Sequence, residues 1–209
     1  MDADAVEIRV LGCLIEKQRT TPDAYPLSLN SLRLACNQAT ARDPVVAYEE
    51  REIKAALDRM STRGWTRFAS GASSRALKYR HLLDEALDLS RPELSLLGVL
   101  MLRGAQTVGE LKQRSERLHR FESIAEVAQT LDTLAQRELV ERLERRPGHK
   151  EERWRQLLGD EAEEVTQPEF QEPEPPPDDR VAAIEERLER LEHAFDDLLS
   201  RLDKVPDRE

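Results

Sequence analysis

Apolar residues recur in two similar series along the first 158 positions. Val6, Val10, Leu14 and Ile15 are spaced as one face of a helix. Thr20-Thr21-Pro22-Asp23 and Pro26 break that pattern. Ser28 can cap a second helix carrying Leu29, Leu32 and Ala35, and Asp43-Pro44 closes it. Ile53, Ala56, Leu57 and Met60 mark a third helix from about Tyr48 to Thr62, ended by Gly64. Trp65 to Phe68 then alternates as a strand, residues 70–74 turn, and Ala76 to Arg80 returns.

The second series repeats the first in the same order. Leu11-Gly12-Cys13-Leu14 matches Leu97-Gly98-Val99-Leu100, and Ser28-Leu29-Asn30-Ser31-Leu32 matches Thr107-Val108-Gly109-Glu110-Leu111. Leu57-Asp58-Arg59-Met60 matches Leu131-Asp132-Thr133-Leu134, and Lys78-Tyr79-Arg80-His81 matches Arg153-Trp154-Arg155-Gln156. Thr107 and Glu110 form a capping-box pattern. Ile124, Val127, Leu131 and Leu134 line the third helix, and Pro147-Gly148 turns between two strand-like runs. Three short helices and a two-stranded wing predict a winged helix, a variant of helix-turn-helix. The chain is therefore read as mainly α (α+β), with winged-helix domains at 1–88 and 89–158.

Residues 159–179 are acidic and proline-rich, ending in Glu172-Pro173-Glu174-Pro175-Pro176-Pro177-Asp178-Asp179, a composition that predicts a disordered linker. Over 180–205 the spacing changes. Val181, Ile184, Leu188, Leu191, Phe195, Leu198, Leu202 and Val205 alternate three and four apart, a heptad repeat that predicts a coiled-coil helix. Arg180 and Arg187 at g would face Glu185 and Glu192 at e of a parallel partner, which favours a dimer.

Charge is distributed unevenly. The chain carries a net −10, but residues 1–88 balance to 0, residues 89–158 carry +2 and residues 159–209 carry −12. The acidic total is thus no argument against a nucleic-acid partner for the first 158 residues. Charged residues are 35% and aromatics only 4%, which suits small helical domains. No apolar run approaches the roughly eighteen residues of a membrane span, and the acidic start is not a signal peptide. Cys13 and Cys36 fall in apolar helical patterns and read as reduced, packed thiols of a cytoplasmic protein.

The run Arg9 to Gln18, with Thr20-Thr21-Pro22-Asp23, Tyr25-Pro26-Leu27-Ser28-Leu29-Asn30 and Ala35-Cys36-Asn37-Gln38, resembles the bacterial YceH-like family, densely over residues 9–46. The resemblance implies a tandem winged-helix fold and no defined activity. The chain departs from that pattern over Ala39 to Val46, where family members tend to be more polar.

Candidate chemistry lies in the wings. Arg67, Arg75, Lys78 and Arg80 in the first, and Arg142, Arg145, Arg146 and Lys150 in the second, could neutralise phosphates of double-stranded DNA. Glu141, Glu144, Glu151 and Glu152 could equally pair with the second wing's arginines and leave a solvated face. The third helices are poor readers of base edges, since one opens with Glu49-Glu50-Arg51-Glu52 and the other is polar but hardly basic. A scaffold that binds protein through the same domains is the alternative. No phosphate-cradling glycine loop, nucleophile elbow or paired metal-ligand spacing is present, so no enzyme, cofactor or metal is expected. Asp23, Tyr25, Asn30, Asn37 and Gln38 form the densest polar cluster; such residues cap helices and tie loops, or line a small pocket.

Overall fold

Asp4 and Glu7 start the first helix, α1 (Ala5–Thr20), with a reciprocal capping box: the Glu7 amide donates to Asp4 Oδ1 at 2.8 Å, and the Asp4 amide donates to Glu7 Oε2 at 2.9 Å. This is a computed structural model, and it describes residues 3–69, 77–145 and 151–159. A short 3₁₀ turn (Pro22–Ala24) follows, then strand β1 (Leu27–Ser28), α2 (Leu29–Cys36), α3 (Glu50–Thr62), β2 (Thr66–Ala69) and β3 (Lys78–His81). The one-turn helix α4 (Leu83–Leu87) links to the second repeat. That repeat runs α5 (Arg91–Arg103), β4 (Gln106–Thr107), α6 (Val108–Ser115), α7 (Ile124–Gln136), β5 (Val140–Leu143) and β6 (Arg153–Gln156). The described residues are thus mostly helical, with seven α-helices and two small antiparallel sheets.

The second repeat uses the same local chemistry. Ser90 and Glu93 form the capping box of α5, with the Ser90 amide 2.8 Å from Glu93 Oε2. Ser28 caps α2, and Thr107 with Glu110 forms the expected capping box of α6. Gly64, at φ +75°, follows α3 in the left-handed region that glycine tolerates.

Each sheet has three strands, ordered β1-β3-β2 and β4-β6-β5. The hairpins were legible in sequence. The third strands, β1 and β4, were not, because two residues carry no alternation to read. In each case the extra strand leads directly into the second helix of its repeat.

The first helices depart from the expected single apolar stripe. Glu7 through Ile15 of α1 and Glu93 through Leu102 of α5 are buried without interruption. A helix buried all round needs cover on both sides. Each receives it from its own repeat on one side and from the other repeat's first helix on the other, α1 against α5 being the most extensive helix contact. Glycines permit the close approach. A Cβ at Gly12 would lie 2.8 Å from Leu102 Cγ and 3.0 Å from Met101 Cβ; one at Gly98 would lie 2.9 Å from Ile15 Cγ2. The repeats therefore share one hydrophobic core, in which Leu11, Leu14, Ile15, Leu96, Leu97 and Leu100 are essentially inaccessible. Cys13 and Cys36 sit in it as free, buried thiols. The chain closes on itself where Ala3 bridges Gly159, the Ala3 amide donating to the Leu158 carbonyl at 3.2 Å.

Candidate nucleic-acid interface

Strand pairing decides which hairpin cations can meet a ligand. In the first hairpin Thr66 pairs with His81 and Phe68 with Tyr79, and this face turns to the core: Thr66, Tyr79 and His81 are buried. The Phe68 and Tyr79 rings stack tilted at 5.2 Å, although Phe68 remains 42% exposed. The pleat sends the alternate residues outward. Arg67 stands directly opposite Arg80, and Lys78 opposite Ala69. Three cations thus share one face, with Glu85 reaching Arg80 at 3.5 Å. Among the described residues neither Arg67 nor Lys78 has a carboxylate partner. Like charges directly opposite one another destabilise a strand pair, so this face is poised to accept counter-charge.

The second hairpin has the same register and a different outcome. Glu141 pairs with Arg155 across the strands and takes its guanidinium Nε–H. Arg142 donates to Glu152 at 3.1 Å, and Arg145 lies 3.9 Å from the same carboxylate. Arg142, Arg145 and Arg155 of this hairpin are thus engaged by glutamates, whereas Arg153, the counterpart of Lys78, has no carboxylate partner among the described residues. Arg75, Arg146 and Lys150 lie outside the described residues, as do all the heptad positions from Val181 to Leu202.

The third helices start acidic, and the one cation in their first turns, Arg51 of α3, lies 2.9 Å from Glu49. Glu49 and Glu52 form the capping box of α3, and Glu126 sits in the first turn of α7. Carboxylates suit a helix N-terminus and repel phosphate.

A family model described as "Protein of unknown function, DUF480" matches residues 3–149. The chain belongs to this family. It is 44% identical over 195 residues to a UPF0502 protein of Solibacter usitatus, covering 92% of this chain and 94% of that one. It is 51% identical over 169 residues to a UPF0502 protein of Geobacter sulfurreducens, covering 78% and 77%. A UPF0502 protein of Shewanella amazonensis is 43% identical over 203 residues, covering 94% and 97%. The YceH-like resemblance of residues 9–46 is thereby accounted for.

The polar residues of that DUF480 segment mostly bind the protein itself. Arg42 is buried, and its guanidinium meets Glu16 at two points, 3.1 and 2.6 Å, as well as the Ala35 carbonyl at 3.0 Å and Gln38 Oε1 at 2.9 Å. Burial alone would raise the Glu16 carboxyl, but Arg42 and Lys17 outweigh it and hold the pKa below the usual value. Arg9, also buried, donates to the carbonyls of Cys36 at 3.2 Å and Pro44 at 2.6 Å; burial lowers its pKa. Asn37 clamps Tyr48 in both directions at 2.9 Å. Tyr25 accepts from the His81 amide at 2.9 Å, and burial raises the Tyr25 hydroxyl to about 12.

His81 is the unusual member. Its side chain is fully enclosed, with Nε2 2.9 Å from Gln18 Oε1 and Nδ1 3.4 Å from Asp84. Burial lowers its pKa to about 4 despite Asp84.

Sequence reading missed one cationic grouping. Lys17 and Arg103 hold the same position in the two first helices, and they line one cleft with Arg114 and Arg117. Carrying the Gly12–Gly98 match five residues onward would have paired them.

Proposed function

We propose that each repeat is a winged helix and that the protein binds the phosphate backbone of double-stranded DNA through the outer face of its first wing. The supporting observation is the placement of Arg67 opposite Arg80, with Lys78 on the same face. The reading assigns phosphate contact to Arg67, Lys78 and Arg80. Base reading by α3 or α7 is not part of it, so binding is largely sequence-independent. The heptad segment joins copies of the chain in a parallel coiled coil, and two first wings on one duplex bind more tightly than one.

The second wing supplies the internal control, because Glu141 stands where the first wing has Arg67. Fluorescence anisotropy with a labelled duplex, at two salt concentrations, should show binding that weakens with salt by about 0.9 log unit per phosphate contact per log unit of salt. Arg67→Glu should weaken it about tenfold or more, and Glu141→Arg should strengthen it. Absence of salt-sensitive binding at micromolar protein refutes the reading. Light scattering on the full chain and on a chain ending near Gln167 should give different masses per particle; equal monomeric masses refute the coiled coil.

A further inference from the structure

The cleft where the repeats meet is separate in its chemistry from the wings. It has a volume of about 270 Å³. Thr20, Thr21, Gln38 and Thr40 give it hydroxyl and amide groups, and Val99, Leu102 and Leu118 give it an apolar wall. Its charge is lopsided. Lys17 comes from α1, Arg103 from the end of α5, and Arg114 and Arg117 from the end of α6 and the loop beyond. Glu16 is the one lining carboxylate; both its oxygens serve Arg42, and Oε2 also lies 3.4 Å from Lys17 Nζ. Arg114 has Glu110 at 3.2 Å, whereas Arg103 and Arg117 have no carboxylate partner among the described residues.

We propose that this cleft binds a small organic phosphate, a phosphomonoester of about sugar-phosphate size. Cations converging from three elements suit a dianion with three terminal oxygens better than a planar carboxylate with two. The volume sits at the low end for small-ligand pockets, which excludes large cofactors and leaves room for one sugar-sized body against the apolar wall. Burial, together with Arg114 and Arg42, holds the Arg103 pKa below its usual value, and a bound dianion relieves that crowding. The fold gives the site a position to act from. The Asp43 amide donates to the Leu102 carbonyl at 2.9 Å, so the loop that carries Thr40 is tied to the end of the opposing helix. A ligand held there touches both repeats at once.

The test is calorimetric titration of the full chain with ribose 5-phosphate, inorganic phosphate and ribose as separate probes. Saturable binding of ribose 5-phosphate, weaker binding of inorganic phosphate and none of ribose are expected. Arg103→Gln and Arg117→Gln should each weaken the sugar phosphate about tenfold, with unchanged melting. Arg117 is exposed, so its variant keeps the test alive should Arg103→Gln fail to fold. No saturable binding of either phosphate probe up to roughly 10 mM, or unchanged binding in both variants, overturns the proposal. A short duplex that displaces ribose 5-phosphate, in the wild type and in Arg67→Glu alike, assigns the cleft to nucleic acid and also overturns it. Failure of DNA binding alone removes the wing reading and leaves this titration standing.

Discussion

Glu7 receives Arg63 at 3.3 Å in the first repeat, and Glu93 receives Arg137 at 3.2 Å in the second. The two pairs occupy matching positions, tying the start of the first helix to the end of the third. In both, the glutamate also closes its helix's capping box. Other matched positions diverge. Glu16 corresponds to Leu102, Arg67 to Glu141, and His81 to Gln156. Where the repeats agree, the residues hold backbone and helix ends. Where they disagree, the first repeat carries the buried charge, the cationic strand face and the enclosed histidine. The comparison separates what the scaffold requires from what one copy has acquired.

Exchanging residues between copies tests that separation. The largest effect is expected for Glu16→Leu, which installs the second repeat's residue. It leaves the fully enclosed Arg42 side chain without its carboxylate and should cost about 3–5 kcal/mol in urea unfolding. A loss below about 1 kcal/mol would mean that Arg42 finds other compensation. His81→Gln comes next, and its effect depends on pH. The unfolded chain takes up the imidazole proton near the ordinary value of about 6.5, whereas the folded chain resists until about 4. Acidification through that window therefore favours unfolding, by up to about 3 kcal/mol at its lower end. Asp84 opposes the shift, and Arg19 and Arg80 add to it. The variant should show a flatter stability profile between those limits; an unchanged profile would exonerate His81. The smallest effect concerns the helix crossing. Gly12→Ala meets Leu102 and Met101 close to the backbone, while Gly98→Ala meets chiefly one methyl of Ile15. Helix propensity gains about 1 kcal/mol in both, against about 1–3 kcal/mol for overpacking. Gly12→Ala should melt lower than Gly98→Ala, and the reverse order would contradict the packing described.

Much of the fold was legible because the sequence states it twice. Ser90-x-x-Glu93 and Thr107-x-x-Glu110 are local signals, and the hairpins alternate over enough residues to be read. The rest depends on partners distant in the chain. Nothing local distinguishes a helix buried on one side from one buried on both, so α1 and α5 were read as ordinary stripes. Composition made both hairpins basic, and only strand register shows Arg67 against Arg80 and Glu141 against Arg155. The solvated-face reading thus describes the second hairpin's Arg142, Arg145 and Arg155, while the first hairpin keeps its cations together. The cleft was invisible for the same reason, since its lysine and three arginines come from segments up to a hundred positions apart.

The crossing of α1 and α5 bears on how such a chain could arise. Gly12 meets Met101 and Leu102, and Gly98 meets Ile15, the counterpart of Met101. Equivalent surfaces meeting reciprocally are the form of an isologous contact between two identical subunits. Here that contact lies within one polypeptide. In a symmetric pair of identical subunits every substitution is made twice, and a strand position cannot be arginine on one side and glutamate on the other. Covalent fusion lifts that constraint, and each copy can then change on its own while the contact between them stays intact.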